Sequence, residues 1–307
     1  MERCVDRPHH GPGRGGVAVT TPEAFTFPSG ADQLVGLLHA APAPSAKALM
    51  ILVGGPQYRV GAHRQYVHLA RHVAASGIHA MRFDYAGVGD SPGRYPGFEQ
   101  VEADIAAAID ALIARRPEVE QVYLWGLCEG ASSALLGIHR HPRVAGLVLV
   151  NPWVHSQEGQ ARAYIKHYYA GRLFSGGFWR RLLSGQVDVL GSVRDFLRKA
   201  GQARRRPDGI AEPDAGADRP YQDRMADGLA EFGGRVLLLL SGRDLVAREF
   251  EDLARTSPPW RRAMARADIT RHLIEPADHT FSTEAWRTEA ARSTADWLAS
   301  RPIGPEG

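Results

Sequence analysis

Residues 125–131 read Trp-Gly-Leu-Cys-Glu-Gly-Ala (WGLCEGA) and decide the fold, because they place a cysteine between two glycines at a strand-to-helix junction. A strand is predicted over residues 121–126 and a helix over residues 129–139. In such a turn a nucleophile occupies a strained backbone conformation, and the flanking glycines leave room where strand and helix cross. The turn also places Cys128 at a helix N-terminus, where the helix dipole favours a thiolate over a thiol.

A packing role is the alternative interpretation of Cys128, because free cysteine is commonly found in protein cores. The chain has two cysteines, and the other, Cys4, lies in a leader rich in glycine, proline, histidine and arginine. A disulfide between the two is therefore not expected. The strand and helix on either side of Cys128 favour the nucleophile over the packing role.

Apolar strands alternate with helices along most of the chain. The first two predicted strands flank the turn signal Pro28-Ser29-Gly30, which predicts a β-hairpin. The predicted strands cover residues 24–27, 34–39, 48–53, 79–84, 121–126, 144–151, 235–241 and 269–274, and the predicted helices cover 64–76, 98–115, 129–139 and 284–298. This alternation predicts an α/β fold, with a mostly parallel central sheet and helices on both faces. Right-handed crossovers would then bring the loops that follow the parallel strands to one edge.

The alternation is interrupted between residues 153 and 232, which predicts an inserted helical lid over that edge. This segment begins with aromatic-rich helical sequence and contains a polar stretch, residues 199–220, that we expect to be flexible. The core is accordingly predicted to comprise residues 24–152 and 233–300. A disordered leader at residues 1–23 would precede it, and a tail at residues 301–307 would follow it.

Composition and N-terminal sequence predict a cytoplasmic protein without a transmembrane segment. Residues 1–16 lack the apolar run of a signal peptide, and no stretch of about 18 apolar residues occurs. The net charge is +3, and the densest basic cluster, residues 204–206, falls in a predicted loop, so nucleic-acid binding is not expected. No metal-ligand cluster, phosphate-binding loop or dinucleotide fingerprint occurs, so neither a metal nor a cofactor is predicted. The oligomeric state cannot be inferred from these features.

Two later loops supply the acid and the base that a nucleophilic cysteine needs. Asp244 follows the predicted strand over residues 235–241, and His279 follows the one over residues 269–274. The chain order of nucleophile, acid and histidine is the order found on folds with this turn. Asp278 is a competing acid. It is adjacent to His279 in sequence and therefore poorly placed to reach the ring, so Asp244 is preferred.

Two N–H donors are needed to stabilise the negative charge that develops on a carbonyl oxygen during attack. Glu129, directly after the nucleophile, is predicted to supply one from its backbone. The loop after the first central strand should supply the other, but Pro56 stands at the usual place and has no N–H. Gln57 is therefore predicted as the second donor, with a side chain as the alternative. Tyr58, in the same loop, and Trp153, at the start of the lid, are predicted to contact the substrate.

The loop after the predicted strand over residues 79–84 is rich in glycine. It reads Phe-Asp-Tyr-Ala-Gly-Val-Gly-Asp-Ser over residues 83–91. The glycines allow unusual backbone angles close to the predicted active edge. Asp84 is predicted to hold this loop in place rather than to react.

These motifs together resemble the α/β-hydrolase superfamily over about residues 24–300. The shared features are Gly-Gly after the first central strand, FDYxGxGxS after the next, the cysteine turn, SGxD and the terminal histidine. Within the superfamily, GGPQYRVG (residues 54–61) and WGLCEGA (residues 125–131) resemble the exosortase A system-associated hydrolases of the first type. That resemblance implies a setting of exopolysaccharide production and protein sorting in Gram-negative bacteria, without implying a substrate. The dienelactone hydrolases and the polyhydroxyalkanoate synthases are similar only at the cysteine turn.

The residues predict a hydrolase that cleaves an ester, thioester or lactone of a small acyl substrate through an acyl-cysteine intermediate. Acyl transfer is the alternative, because a thioester intermediate stays reactive toward a hydroxyl or amine acceptor. A third interpretation is a non-catalytic partner protein that retains the fold. The presence of Cys128, Asp244 and His279 together argues against it.

Overall fold

The computed structural model describes residues 21–55, 57–155, 219–265 and 268–300. Within these ranges, eight strands form one sheet. They are β1 (Glu23–Ser29), β2 (Asp32–His39), β3 (Lys47–Leu52), β4 (His79–Phe83), β5 (Gln121–Leu127), β6 (Val144–Val150), β7 (Arg235–Ser241) and β8 (Ile269–Ile274). Their order across the sheet is β1-β2-β4-β3-β5-β6-β7-β8, so β3 and β5 are neighbours near its centre.

The strand directions confirm the prediction of a mostly parallel sheet. β1 and β2 form the predicted antiparallel hairpin, in which Ser29 pairs with Asp32 across Gly30, whose φ is 56°. β2 is also antiparallel to β4, whereas every pairing from β4 across to β8 is parallel. The parallel strands therefore carry their carboxyl ends to the same edge.

The described α-helices cover both faces of the sheet. They are α1 (Gln65–Ala75), α2 (Glu102–Arg115), α3 (Glu129–Ser133), α4 (Tyr221–Glu231), α5 (Leu245–Thr256), α6 (Pro258–Met264) and α7 (Glu284–Ala299). α1 and α7 pack against each other on one face. Right-handed crossovers place α2 and the helices that follow β6 and β7 on the opposite face, where α6 contacts both α4 and α5.

The central strands are apolar because helices cover them on both sides. Every residue of β4 and β7 is buried, and so is every residue of β3 after the first. Removal of this apolar surface from water, at about 25 cal/mol per Å², is the main stabilising contribution. The Trp297 ring of α7 packs edge-on against Tyr123 with centroids 5.8 Å apart, and the Arg235 guanidinium lies 4.6 Å from the Trp297 centroid. These contacts attach the last helix to the sheet.

The helix after the cysteine turn is shorter than predicted. We expected it over residues 129–139, but α3 ends at Ser133 and a short 3-10 helix follows at Ile138–Arg140. Gly137, between the two, has a φ of 131°, which other residues rarely adopt, and a Cβ there would lie 2.2 Å from the Glu102 carboxylate. Apolar residues continue across this break, and Gly137 is the one sign of it in the sequence.

Helices α5 and α6, between β7 and β8, are absent from the sequence-based prediction. Their start signals are nevertheless present. Asp244 caps α5 by accepting a hydrogen bond from the Val246 N–H at 3.0 Å, and Pro258 begins α6. The apolar residues of α5 also fall at helical spacing, whereas α6, with seven residues, is too short to show such a pattern. Phe250 packs edge-on against Trp260 with ring centroids 5.2 Å apart, which joins the two helices.

The predicted lid lies mostly outside the described residues. Of residues 153–232, the structure describes 153–155 and 219–232. α4, in the second of these pieces, buries Met225, Ala226 and Leu229 in the core. The predicted tail lies entirely outside the described residues, as do most of the leader and of the stretch predicted to be flexible.

The part of the chain that the structure describes contains no helix with both the length and the apolar character needed to cross a membrane.

We predict that a cavity in β6 destabilises the fold far more than the same change at the sheet edge. Leu147 is fully buried in β6, whereas Leu273 in β8 is 47% exposed. Leu147→Ala should lower the free energy of unfolding by about 2–5 kcal/mol, because it removes packed atoms and leaves a cavity. Leu273→Ala should change it by less than about 0.5 kcal/mol. Chemical denaturation measures both values, and equal losses would contradict this description of the core.

Candidate active site

The parallel strands end level with one another at one edge of the sheet. β3 pairs in register with β5, β5 with β6, β6 with β7, and β7 with β8. Cys128 directly follows β5, Asp244 lies in the loop after β7, and His279 lies in the loop after β8. The fold therefore brings all three predicted residues to the same edge.

Cys128 adopts the strained conformation that its turn predicts. Its φ is 59° and its ψ is −122°, a combination that costs free energy for any residue with a side chain. A Cβ at Gly126 would lie 2.3 Å from the Gly130 backbone, and a Cβ at Gly130 would lie 2.5 Å from the Leu52 carbonyl oxygen. Only glycine fits at either position. The turn over residues 126–130 is hereafter the elbow.

The loop after β3 lies directly against the elbow. A Cβ at Gly54 would lie 2.2 Å from the Leu127 carbonyl oxygen and 3.2 Å from the Glu129 nitrogen. Glycine is thus required on this side of the crossing as well. The contact brings the start of the loop next to the Glu129 N–H, so the two segments predicted to supply oxyanion donors are neighbours.

Asp244 and His279 are hydrogen-bonded across the active edge. His279 Nδ1 lies 2.7 Å from Asp244 Oδ2. The other carboxylate oxygen, Asp244 Oδ1, accepts a hydrogen bond from the Val246 N–H at 3.0 Å, which fixes the carboxylate at the N-terminus of α5. Asp244 is buried, so water competes little for these interactions.

Asp278, the competing acid, is engaged by its own loop. Its carboxylate accepts hydrogen bonds from the N–H groups of Thr280 and Ser282, at 3.2 and 3.0 Å, and from the Ser282 hydroxyl. Burial raises the pKa of Asp278, but these bonds outweigh burial and bring the pKa below its ordinary value of 3.8. The carboxylate that faces the His279 ring is therefore that of Asp244.

The ring of His279 also interacts with Cys128. Burial by itself lowers the pKa of His279, but the hydrogen bond with Asp244 and the interactions with Asp244 and Cys128 raise it from 6.5 to about 10. The ring therefore carries two protons at neutral pH. A protonated imidazole beside the sulfur favours a thiolate over a thiol.

Asn151, after the end of β6, was not predicted as a site residue. Its Oδ1 accepts a hydrogen bond from the Ser241 N–H at 2.9 Å, and its Nδ2 donates to Ser241 Oγ at 2.9 Å and to the His279 carbonyl oxygen at 3.4 Å. It is fully buried, with a φ of 43°. The sequence did contain a signal for this role, since Asn151 is a polar residue between an apolar strand and Pro152. Asparagine also tolerates positive φ. Asn151 supports the loop that carries His279.

Gln57, the predicted second oxyanion donor, closes its own loop. Its side-chain Oε1 accepts a hydrogen bond from the Ala62 N–H at 3.3 Å. Pro56, which precedes it, lies outside the described residues. The roles of the Gln57 and Glu129 N–H groups therefore stay predictions.

The side chain of Glu129 is a second part of the site that was not predicted. Its Oε2 would lie 3.7 Å from a Cβ at Gly55, so the carboxylate is next to the loop after β3. Burial raises the pKa of Glu129, and the Gly55 backbone only partly opposes this. An acidic group thus lies between the elbow and the loop after β3.

Tyr58 and Trp153, the predicted substrate contacts, border the edge in different ways. Tyr58 is 45% exposed. The Trp153 N–H donates to the Cys128 carbonyl oxygen at 3.3 Å, and its ring stacks on His155 with centroids 4.9 Å apart. Trp153 is therefore attached directly to the elbow. Contact of either ring with a substrate stays a prediction.

Sulfur, imidazole and carboxylate form a chain from Cys128 through His279 to Asp244, in which the imidazole is hydrogen-bonded to the carboxylate and interacts with the sulfur. Such a chain can form and break acyl bonds, because the sulfur attacks, the ring moves a proton and the carboxylate holds the ring. Within the described ranges, no three His, Cys, Asp or Glu side chains are grouped so that they could hold a metal ion.

A family model described as Serine aminopeptidase, S33, matches residues 44–209, which is more than half of the chain. An uncharacterized protein of Rickettsia prowazekii is 25% identical over 133 residues, or 43% of this chain. The match spans 55% of that relative's own length.

Solved structures of α/β-hydrolases superpose on most of the chain. The esterase Pf2001 of Pyrococcus furiosus gives a TM-score of 0.60 at 14% identity, covering 91% of this chain and 90% of its own. Est1E of Butyrivibrio proteoclasticus, solved with ferulic acid bound, gives 0.59 at 16% identity, covering 90% and 98%. An α/β serine hydrolase homologue from Coxiella burnetii gives 0.56 at 15% identity, covering 92% and 99%. At these identities the likeness concerns the fold, and it confirms the predicted α/β-hydrolase architecture.

We predict that the elbow does not tolerate a side chain at position 126. Gly126→Ala places a Cβ 2.3 Å from backbone atoms of Gly130, so α3 or Cys128 must move. Alkylation of Cys128 by iodoacetamide, followed by intact mass, should therefore become much slower. Gly233→Ala is the matched control, because a Cβ there meets nothing within 4 Å. Unchanged reactivity of Cys128 in Gly126→Ala would contradict the elbow geometry.

We predict that Cys128 and Asp244 together raise the pKa of His279. In NMR spectra of protein with labelled histidine, the ring should lose its proton near pH 10. Cys128→Ala and Asp244→Asn should each lower that pKa, because each removes an interaction that favours the imidazolium. The remaining histidines should titrate as before. If the pKa of His279 were the same in Cys128→Ala as in the wild type, the ring would not contact the sulfur.

Proposed function

The chain belongs to the family described as Serine aminopeptidase, S33, an α/β-hydrolase family, and we propose that it is a hydrolase whose nucleophile is Cys128. His279 and Asp244 assist it as proton carrier and orienting acid. One observation carries this proposal. The His279 ring lies 2.7 Å from Asp244 Oδ2 through Nδ1, and Cys128 is near enough to the same ring to raise its pKa.

In the first half of the reaction, the Cys128 thiolate attacks the carbonyl carbon of an ester, thioester or lactone. A C–S bond forms and an electron pair moves to the carbonyl oxygen, which the N–H groups of Glu129 and Gln57 would stabilise. When the carbonyl re-forms, the bond to the leaving alkoxide or thiolate breaks. His279 donates its proton to that group. With a pKa of about 10, the ring carries this proton at neutral pH.

In the second half, water attacks the acyl-cysteine. The neutral His279 ring takes a proton from the water as the C–O bond forms, and the C–S bond then breaks. The products are the carboxylic acid and the Cys128 thiolate, so both residues regain their starting charges. Asp244 stabilises the imidazolium each time it forms.

The chain differs from the serine chemistry of its family's description, because a cysteine stands at the proposed nucleophile position. A thiol loses its proton far more readily than a serine hydroxyl, so a thiolate–imidazolium pair can exist before substrate binds. The high pKa of His279 supports the imidazolium of this pair. We therefore propose cysteine chemistry on a fold shared with serine hydrolases.

Small acyl esters, thioesters or lactones are the proposed substrates. Among structures with this fold, Pf2001 is an esterase and Est1E was solved with ferulic acid. Tyr58 and Trp153 would border the acyl group. The hydrogen bond of Trp153 to the Cys128 carbonyl oxygen, at 3.3 Å, supports this for Trp153.

We also propose that the chain is one of the exosortase A system-associated hydrolases of the first type. The support is the sequence of two segments that meet at the active edge, GGPQYRVG at residues 54–61 and WGLCEGA at residues 125–131. This assignment would connect the reaction to exopolysaccharide production and protein sorting, in the cytoplasm. The segment over residues 153–232 would act as a lid.

The decisive measurement is acylation of Cys128 by short acyl p-nitrophenyl esters. Wild-type protein should release nitrophenol and carry one acyl group on Cys128 in peptide mass analysis. Cys128→Ala should carry none, and Cys4→Ala, the matched control, should behave as wild type. His279→Ala should lower kcat/KM by about 10²–10⁴-fold, because it removes the proton transfer. Asp244→Asn should lower it less, because a thiolate depends less on an oriented base.

Added acceptors separate the competing functions. If an alcohol or amine acceptor takes the acyl group in preference to water, acyl transfer is the correct assignment. If no ester acylates the protein, the non-catalytic interpretation is favoured. Acylation confined to Cys4 would refute Cys128 as the nucleophile.

A further inference from the structure

Arg59 and Asp84 join two loops at the active edge. The Arg59 N–H donates to Asp84 Oδ1 at 2.7 Å, and its guanidinium forms ion pairs with Asp84 and Asp90. Asp84 is fully buried, and its Oδ2 also accepts a hydrogen bond from the Asp90 N–H at 3.1 Å. Arg59 belongs to the loop after β3, and the two acids belong to the loop after β4. One buried carboxylate therefore connects both loops.

The carbonyl group of Arg59 is held from a second direction. Arg82, buried in β4, donates from Nη1 to the Arg59 carbonyl oxygen at 2.7 Å. Its Nε and Nη2 lie 3.1 and 3.0 Å from His39 Nε2. Burial and the charges of Arg82 and Arg71 lower the pKa of His39 to about 4, so the ring is neutral and can accept. Buried side chains thus fix both the N–H and the C=O of Arg59.

In the proposed reaction, the loop after β3 has to present an N–H to the substrate oxygen. Pro56, in this loop, has no N–H. The next N–H along the chain is that of Gln57, two residues before Arg59. A displacement of about 1 Å at a reacting group can cost about 10²-fold in rate, so this donor requires a rigid loop. Gln57 and Ala62 close the loop at 3.3 Å, and Arg59 lies between them.

We propose that Arg59 and Asp84 are positioning residues for the oxyanion hole. They hold the loop after β3 so that the Gln57 N–H points at the carbonyl oxygen of the substrate. This inference rests on the proposed function, because it assumes that Cys128 is acylated. In this role Asp84 holds its own loop and also affects the rate of acylation.

Two reactions of Cys128 distinguish positioning from general structural support. Acylation by an ester develops negative charge on the carbonyl oxygen and depends on the oxyanion donors. Alkylation by iodoacetamide displaces iodide from a saturated carbon and develops no such charge. A misplaced Gln57 N–H therefore slows acylation alone.

Asp104 provides a matched control for Asp84. It is also a buried carboxylate bound to the loop after β4, because its Oδ2 accepts a hydrogen bond from the Ala86 N–H at 2.9 Å. Its Oδ1 accepts from the Ser29 hydroxyl at 2.6 Å. Both partners lie outside the loop after β3. Asp104→Asn thus perturbs the same loop as Asp84→Asn without releasing Arg59.

The experiment compares full-length variants in hydrolysis of p-nitrophenyl butyrate and in alkylation by iodoacetamide. Asp84→Asn should lower kcat by about 10–100-fold with little change in KM and an unchanged alkylation rate, because an amide nitrogen cannot accept the bonds that Asp84 accepts. Arg59→Met keeps the backbone bonds of residue 59 and loses only its ion pairs, so it should lower kcat in the same way but by less. Arg59→Lys, which keeps the charge, should recover part of kcat. Asp104→Asn should leave kcat unchanged.

Equal losses of acylation and alkylation in Arg59→Met would overturn the proposal, as would a loss of kcat in Asp104→Asn equal to that in Asp84→Asn. If Asp84→Asn does not fold, the two Arg59 variants decide, since the Arg59 side chain is 15% exposed. A wild type that is never acylated would overturn the proposed function together with this inference. An acylated wild type with unaffected variants would overturn this inference alone.

Discussion

The close crossing of backbones at the elbow is the constraint on which the rest of the site depends. A Cβ at Gly54, Gly126 or Gly130 would lie 2.2–2.5 Å from backbone atoms, so none of the three positions can accept a side chain without a shift of the backbone. This crossing holds Cys128 at a φ of 59° and a ψ of −122°. The strained conformation persists because the buried strands β3, β5 and β6 fix the backbone around it.

The charges at the edge follow from that fixed backbone. The fold places the His279 ring between the Asp244 carboxylate and the Cys128 sulfur, and both neighbours favour the imidazolium despite burial. Asn151 ties the ends of β6 and β7 to the loop that carries the ring. The Glu129 carboxylate lies beside Gly55, and burial raises its pKa. The pKa values of both groups beside Cys128 are thus raised. The raised pKa of His279 favours the imidazolium, and that of Glu129 favours the neutral carboxylic acid.

The sequence predicted the structure correctly where that structure depends on residues close together in the chain. The hairpin turn at Gly30 and the apolar runs of the central strands have their cause within a few positions of the chain. The glycines of the elbow are a local pattern, but part of the reason for them is distant in sequence, because a Cβ at Gly130 would meet the Leu52 carbonyl oxygen. The break after α3 was missed although Gly137, with a φ of 131°, marks it in the sequence. Helix α5 was missed although its apolar residues fall at helical spacing, whereas α6 has seven residues and offers too short a pattern.

The sequence by itself determined the α/β class, the mostly parallel sheet and the preference for Asp244 over Asp278 as the partner of His279. These follow from residue type and spacing, which a linear pattern contains. Only the tertiary structure placed the Asp244 carboxylate against the His279 ring, and only it showed that Asn151 supports this loop and that Asp84 joins two loops through Arg59. The physical reason is distance. Hydrogen bonds and charges act over a few ångströms, and the folded chain alone brings together groups that are far apart in sequence.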